Sequence, residues 1–226
     1  MTPATTALLL SLQVSVWTTL VVLPVGTLLG WLLARRRFAG RSLVETILAL
    51  PLVLPPTAVG YLLLRALALD GPFGRRTLGV DLDILFTLRG AVLAAAIMSL
   101  PLVARTARVA FEEVDPRLEA MARTLGLGPL RAFVRVTLPL ARRGLLAAAL
   151  LGFTRALGEF GATIVVAGSI PGRTQTLALA IFADMQAGRD RDAMTLVAIT
   201  VVVAFAAMWS VEALLRRAPD RSVSGS

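Results

Sequence analysis

Five stretches of this chain stay apolar for about 20 residues or more. They run from about Ala7 to Leu33, Thr46 to Leu69, Leu88 to Val109, Leu145 to Ser169 and Ala193 to Leu215. Runs of this length suit helices surrounded by lipid, because a helix that is apolar all round has no face to give to water. Composition agrees: 57% of the 226 residues are hydrophobic, 16% are charged, and the mean hydropathy is +0.79. A soluble domain carries roughly 45–50% apolar and about 25% charged residues. The reading is an all-α membrane protein with about five transmembrane helices, forming a single domain over residues 1–226. Pro51, Pro55 and Pro56 lie inside the second run and predict a bend there, with Pro55 and Pro56 the bend candidates. Leu177 to Phe182 is apolar but too short to cross, so it is expected to rest at the outer surface or dip inward.

The charges orient the runs. All 23 basic residues are Arg, and fifteen of them fall in 35–41, 105–143 and 216–221. The intervening segments 70–89 and 173–192 hold six Arg matched by six Asp. Positive charge is retained on the cytoplasmic side, which places the loop at about 110–143 and the C-terminus in the cytoplasm and the N-terminus outside. Charge follows the first apolar run instead of preceding it, so the run reads as a retained helix and not as a cleaved signal. The tail Ser222–Ser226 is the one low-complexity tract.

Absences narrow the chemistry. With no Cys and no His, a zinc site, a disulfide framework, a Cys nucleophile and a Ser-His-Asp triad are excluded. No Lys is present to serve a phosphate-binding loop. No catalytic residue, metal ligand or cofactor is therefore assigned to this chain. The net charge of +9 does not point to nucleic acid, because the Arg residues sit between apolar runs and form no basic domain.

The cytoplasmic loop carries the strongest local signal. Asp115-Pro116 is a helix start, and Leu118, Met121, Ala122 and Leu125 recur at the spacing of one helical face. Gly126 is placed to end that helix, and Gly128-Pro129 to turn the chain. A second amphipathic stretch, Leu130 to Leu138, is expected to end at Pro139. Spacing alone leaves two readings open: a surface helix packed on its own bundle, or a docking helix.

Glu119 to Gly126, followed by Val136-x-Leu138-Pro139, resembles the cytoplasmic signature loop of bacterial ABC importer permeases. That signature reads Glu-Ala-Ala, three residues, Gly, nine residues, then Ile-x-Leu-Pro. Ala122, Gly126, Val136, Leu138 and Pro139 are in register; Ala120 and Met121 occupy the Glu and first Ala positions, and Glu119 stands one place early. Arg155-Ala-Leu-Gly-Glu159-Phe-Gly-Ala-Thr163, Gly168-Ser-Ile-Pro-Gly172-x-Thr174 and Leu54-Pro-Pro-Thr57-x-x-Gly60-Tyr61 are similar to permeases for tetrahedral oxyanions, and most of all to those for molybdate. The resemblance implies a type I importer fold in the bacterial inner membrane, working as a homodimer. It implies two copies of a cytoplasmic ATPase subunit, which would bind ATP and Mg, and an extracytoplasmic binding protein. Leu118, Glu119, Met121, Ala122, Leu125 and Gly126 would then form the coupling helix that docks on the ATPase. Tungstate is a further expected cargo. A sulfate, thiosulfate or tungstate permease and an ion-coupled carrier acting alone are the alternatives, the carrier disfavoured by the odd number of spans and the lack of a clear internal repeat.

Arg155 and Glu159 are four residues apart inside the fourth run, so they share a helix face and can pair. Charges at that depth mark either a site on the transport path or a structural ion pair. Gly158 and Gly161 flank them and are expected to let helices approach closely.

Overall fold

The computed structural model describes residues 2–80 and 82–217. In chain order these form α1 (Pro3–Arg35), α2 (Arg41–Val53), α3 (Pro56–Leu67), α4 (Arg75–Leu78), α5 (Leu88–Glu112), α6 (Pro116–Thr124) and α7 (Pro129–Ala132). A π-helical turn (Phe133–Thr137) follows, then α8 (Leu138–Leu157), α9 (Gly161–Val166), α10 (Leu177–Gln186) and α11 (Asp190–Arg217). Four helices among the described residues are long and apolar enough to cross a membrane, and α2 with α3 makes a fifth if the bent pair counts as one span. The tail from Ser222 to Ser226 lies outside the described residues.

The bundle is built on α1 and α5, which run side by side in the same direction. Thr18 donates to the Val92 carbonyl at 3.4 Å, and further along Gly26 meets Val103 and Gly30 meets Arg108. The approach is closest at Gly30, where a Cβ would stand 2.7 Å from the Arg108 backbone nitrogen and 2.8 Å from Ala107 Cβ. In α5, Ala91, Ala94, Ala95, Ala104 and Ala107 are fully buried. Small residues on facing helices let backbones approach, and dispersion then replaces the hydrophobic drive that lipid does not supply. α8 closes the other side of this pair, with Ala148 and Gly152 buried against it.

Three runs fold differently from a simple span. The second is two helices meeting at 111°. Leu54 precedes a proline and is extended (ψ 143°), as a pre-proline residue prefers, and Pro55 is extended too; Pro56 then opens α3. The expected bend is there, and it is a full break.

The fourth run, expected over 145–169, is displaced. Its helix is continuous from Pro129 through the π turn to Leu157 and stops there. Pro139 does not end it. The Leu138 N–H reaches back five residues to the Phe133 carbonyl, and this wider turn carries the chain past a residue that cannot donate. After Leu157 the chain breaks at Gly158–Phe160 and restarts as α9.

The short apolar stretch at 177–182 extends into α10. It does not rest on the surface: Leu177 and Leu179 are fully buried, and the Leu177 N–H donates to Ser11 Oγ of α1 at 2.7 Å.

Candidate functional site

Two features are candidates for function. The first is the pair of helix breaks. Gly161, opening α9, lies against Pro56, opening α3: a Cβ on Gly161 would come 2.7 Å from Pro56 Cβ. One turn further on, a Cβ on Gly60 would meet the Ala162 backbone at 2.9 Å. The two discontinuities are thus set back to back. They pack through Val59, Ala162 and Val166 onto Ala94 and Met98 of α5, within the length of that helix. Residues 52 to 57 around the first break are exposed, Val53 to 82%. Non-helical backbone at membrane depth is tolerated only where protein covers it or water lines it. At such a depth the break at residues 52–57 would need another chain or water against it.

Arg155 and Glu159 stand at the second break. Arg155 Nη1 and Glu159 Oε2 are 2.6 Å apart, and the Glu159 side chain is 2% exposed against 28% for Arg155. The other carboxylate oxygen, Oε1, accepts the Ala162 N–H at 2.9 Å. Glu159 therefore closes the ion pair and caps α9 at the same time. This explains why the helix restarts: a buried carboxylate satisfies a free N–H and favours the positive end of the helix. Of the two flanking glycines, Gly161 permits the expected close approach. Gly158 does not, since only the Thr154 carbonyl of its own turn lies near, at 3.9 Å.

The second feature is the loop between α5 and α8. α6 forms as expected, with Asp115 accepting the Arg117 N–H at 2.9 Å, and it ends at Thr124 with Leu125 as its cap. Gly126 has φ +90°, a conformation costly for any residue with a Cβ, and the Leu127 N–H donates to the Ala122 carbonyl to complete the turn. The expected single apolar face is divided. Ala122 is buried, whereas Leu118 is exposed, Met121 is 61% exposed and Leu125 is 85% exposed. A helical residue turns inward where the bundle covers it, and here the bundle covers only the Ala122 side.

Glu119 faces inward as well, where Thr137 Oγ1 donates to its Oε2 at 2.8 Å. Thr137 is fully buried. Sequence reasoning passed over Thr137, because a lone Thr in an amphipathic stretch carries no signal without knowing what lies opposite. At the root of this region Arg41, Glu45, Arg108 and Glu112 form a chain of ion pairs at 2.7–2.9 Å that ties α2 to α5. Arg35 donates to the Val114 carbonyl at 2.8 Å and holds the end of α1 to the end of α5. No group of residues suited to hold a metal occurs among the described residues.

A multi-pass helical protein with broken helices inside its apolar layer, and a short helix held out beyond it, has the architecture of a transport subunit. The chain belongs to the family described as binding-protein-dependent transport system inner membrane component, whose model matches residues 26–219. It is 44% identical over 222 residues to the molybdenum transport system permease protein ModB of Escherichia coli K12, covering 97% of both chains. The ModB protein of Haemophilus influenzae is 40% identical, again over 97% of both. The sulfate transport system permease protein CysT of Salmonella typhimurium is 34% identical over 88% of this chain and 72% of its own length. Among solved structures, a bacterial ABC transporter involved in alginate import superposes with a TM-score of 0.76 at 18% identity, over 94% of this chain and 79% of that one. The MetNI methionine ABC transporter, in inward-facing form, gives 0.67 at 20% identity over 94% and 93%. The fold is that of ABC importer permeases, as the loop signature implied.

Proposed function

We propose that this chain is the membrane-spanning subunit of an ATP-driven importer of molybdate, with tungstate as a second cargo. The observation that carries the substrate is the 44% identity to a molybdenum permease along 97% of both chains, against a shorter and weaker match to a sulfate permease. Two copies of the subunit would enclose the path, each presenting its exposed break at residues 52–57. Irregular backbone there then has water or a partner chain to satisfy it. Arg155, partly exposed at the second break, offers a cation near that path. Glu159 keeps it paired, so an anion passes without being trapped.

On the cytoplasmic side, Leu118, Met121 and Leu125 with the turn at Gly126 form the surface on which each of two ATPase subunits docks. Those subunits bind ATP and Mg; this chain supplies no catalytic group. A binding protein delivers the anion to the outer face. Closure of the ATPase pair on nucleotide would displace α6 and switch the path from inward- to outward-facing. The N-terminus lies outside and the C-terminus in the cytoplasm, following the Arg distribution.

Radiolabelled molybdate uptake tests this in cells lacking other oxyanion importers and expressing the chain with its ATPase and binding protein. Uptake should require the chain, and unlabelled tungstate should compete where sulfate does not. Chain-dependent sulfate uptake that excess molybdate leaves unchanged would refute the substrate.

A further inference from the structure

α6 is a two-sided element. Met121 and Leu125 point away from the protein, while Glu119, on the same short helix, points in and meets Thr137. Thr137 is the last residue of the π turn and the residue from which α8 begins. From there α8 runs without interruption for 20 residues to Leu157, directly before the break that holds Glu159. One side-chain hydrogen bond therefore joins the exposed helix to a rigid rod whose far end is the second helix break.

We infer that Glu119 and Thr137 are positioning residues that carry displacement of α6 into α8. A hydroxyl–carboxylate bond is charge-assisted and directional, and its donor Thr137 is fully buried while Glu119 is half-buried, so water reaches this bond from one side only. At its start α6 is held by the buried Val114, whose carbonyl accepts from Arg35, and the backbone reaches α8 from α6 only by the longer path through the turn at Leu125–Gly126 and residues 127–137. The π turn that ends at Thr137 is a wide, less regular turn of the kind frequent at functional sites, set inside the continuous helix from Pro129 to Leu157, so a pull at Thr137 acts on α8 at its base. The loop signature places a carboxylate in this region for a partner; here Glu119 is engaged within its own chain. The inference rests on the importer reading above.

The test uses the complex of this chain with its ATPase and binding protein in vesicles, comparing wild type with Thr137→Val, Thr137→Ser and Glu119→Gln. Co-purification of the ATPase, ATP hydrolysis and molybdate uptake are measured together. Thr137→Val is close in shape and removes only the donor. It should leave assembly and hydrolysis near wild type while molybdate moved per ATP falls about tenfold, the scale of a lost hydrogen bond to a charged group. Thr137→Ser should restore most of it, and Glu119→Gln should be intermediate. Spin labels at Arg117→Cys and Arg142→Cys give a second readout that needs no cargo: one α6–α8 distance with or without ATP in wild type and Thr137→Ser, a broadened distribution in Thr137→Val. Wild-type transport efficiency in Thr137→Val overturns the inference. So does a loss of assembly in parallel with uptake, or a serine variant no better than valine. A wild-type complex that moves no molybdate refutes the importer reading instead, and the distance measurement still decides the link.

Discussion

At the scale of single residues, the same side chain has opposite consequences on the two sides of α6. Leu125 is solvated in the free subunit, so Leu125→Asp should alter its stability by no more than about 0.5 kcal/mol. Once a partner covers that surface, an unpaired carboxylate costs several kcal/mol, on the order of 2–5. ATPase co-purification should therefore be lost in Leu125→Asp and in Met121→Asp, and should survive in Arg117→Asp. If Leu125→Asp assembles and transports normally, α6 is not the docking element. Gly126→Val should fail by another route, since a β-branched residue at φ +90° carries a strain on the order of 1–2 kcal/mol. Glu159 should behave as a buried partner: Glu159→Ala leaves the Ala162 N–H unsatisfied and Arg155 unpaired but partly exposed, a loss of about 1–3 kcal/mol. Glu159→Gln keeps an acceptor for that N–H, so its thermal unfolding in detergent should fall between wild type and alanine. Equal midpoints for the two variants would show that the cap contributes nothing.

Between elements, close contact counts for more than charge. Gly30→Leu places a side chain where a single Cβ is already within 2.7 Å of α5 backbone, so α1 must move away, and folded yield in the membrane should collapse. Glu45→Ala breaks the chain of ion pairs between α2 and α5, but its members are partly exposed, and the loss should stay near 1 kcal/mol and shrink in high salt. Folded yield after membrane extraction, compared for the two variants, checks the ranking. The same contrast marks what was legible beforehand. Runs of apolar residues, Asp115-Pro116 as a helix start and Gly126 as a stop are local signals, and they gave the helices and α6. The boundary of α8 was not legible, because a π turn can absorb Pro139 and because Glu159 ends one helix and starts another only through a bond to Ala162. Thr137 and Gly60 have roles defined by what lies opposite, and a single sequence does not say what lies opposite.

At the scale of the whole molecule, the Arg distribution makes a prediction that the helices alone do not. Tags at Thr2 and at Ser226, the latter outside the described residues, should report opposite sides of the membrane in intact cells; agreement between them would refute the five-span arrangement. The back-to-back breaks carry a different consequence, for the order in which the protein is made. α2 and α3 have 13 and 12 residues, each too short to enter the bilayer as an independent span of about 20. The surface that seats α3, at Pro56 and Gly60, belongs to α9, roughly a hundred residues later in the chain. During synthesis the second span must wait, incompletely packed, until most of the polypeptide has left the ribosome. A chain truncated after Leu157 should accordingly insert α1 and α5 yet leave a Val59→Cys thiol open to a water-soluble reagent, and only extension through Val166 should bury it.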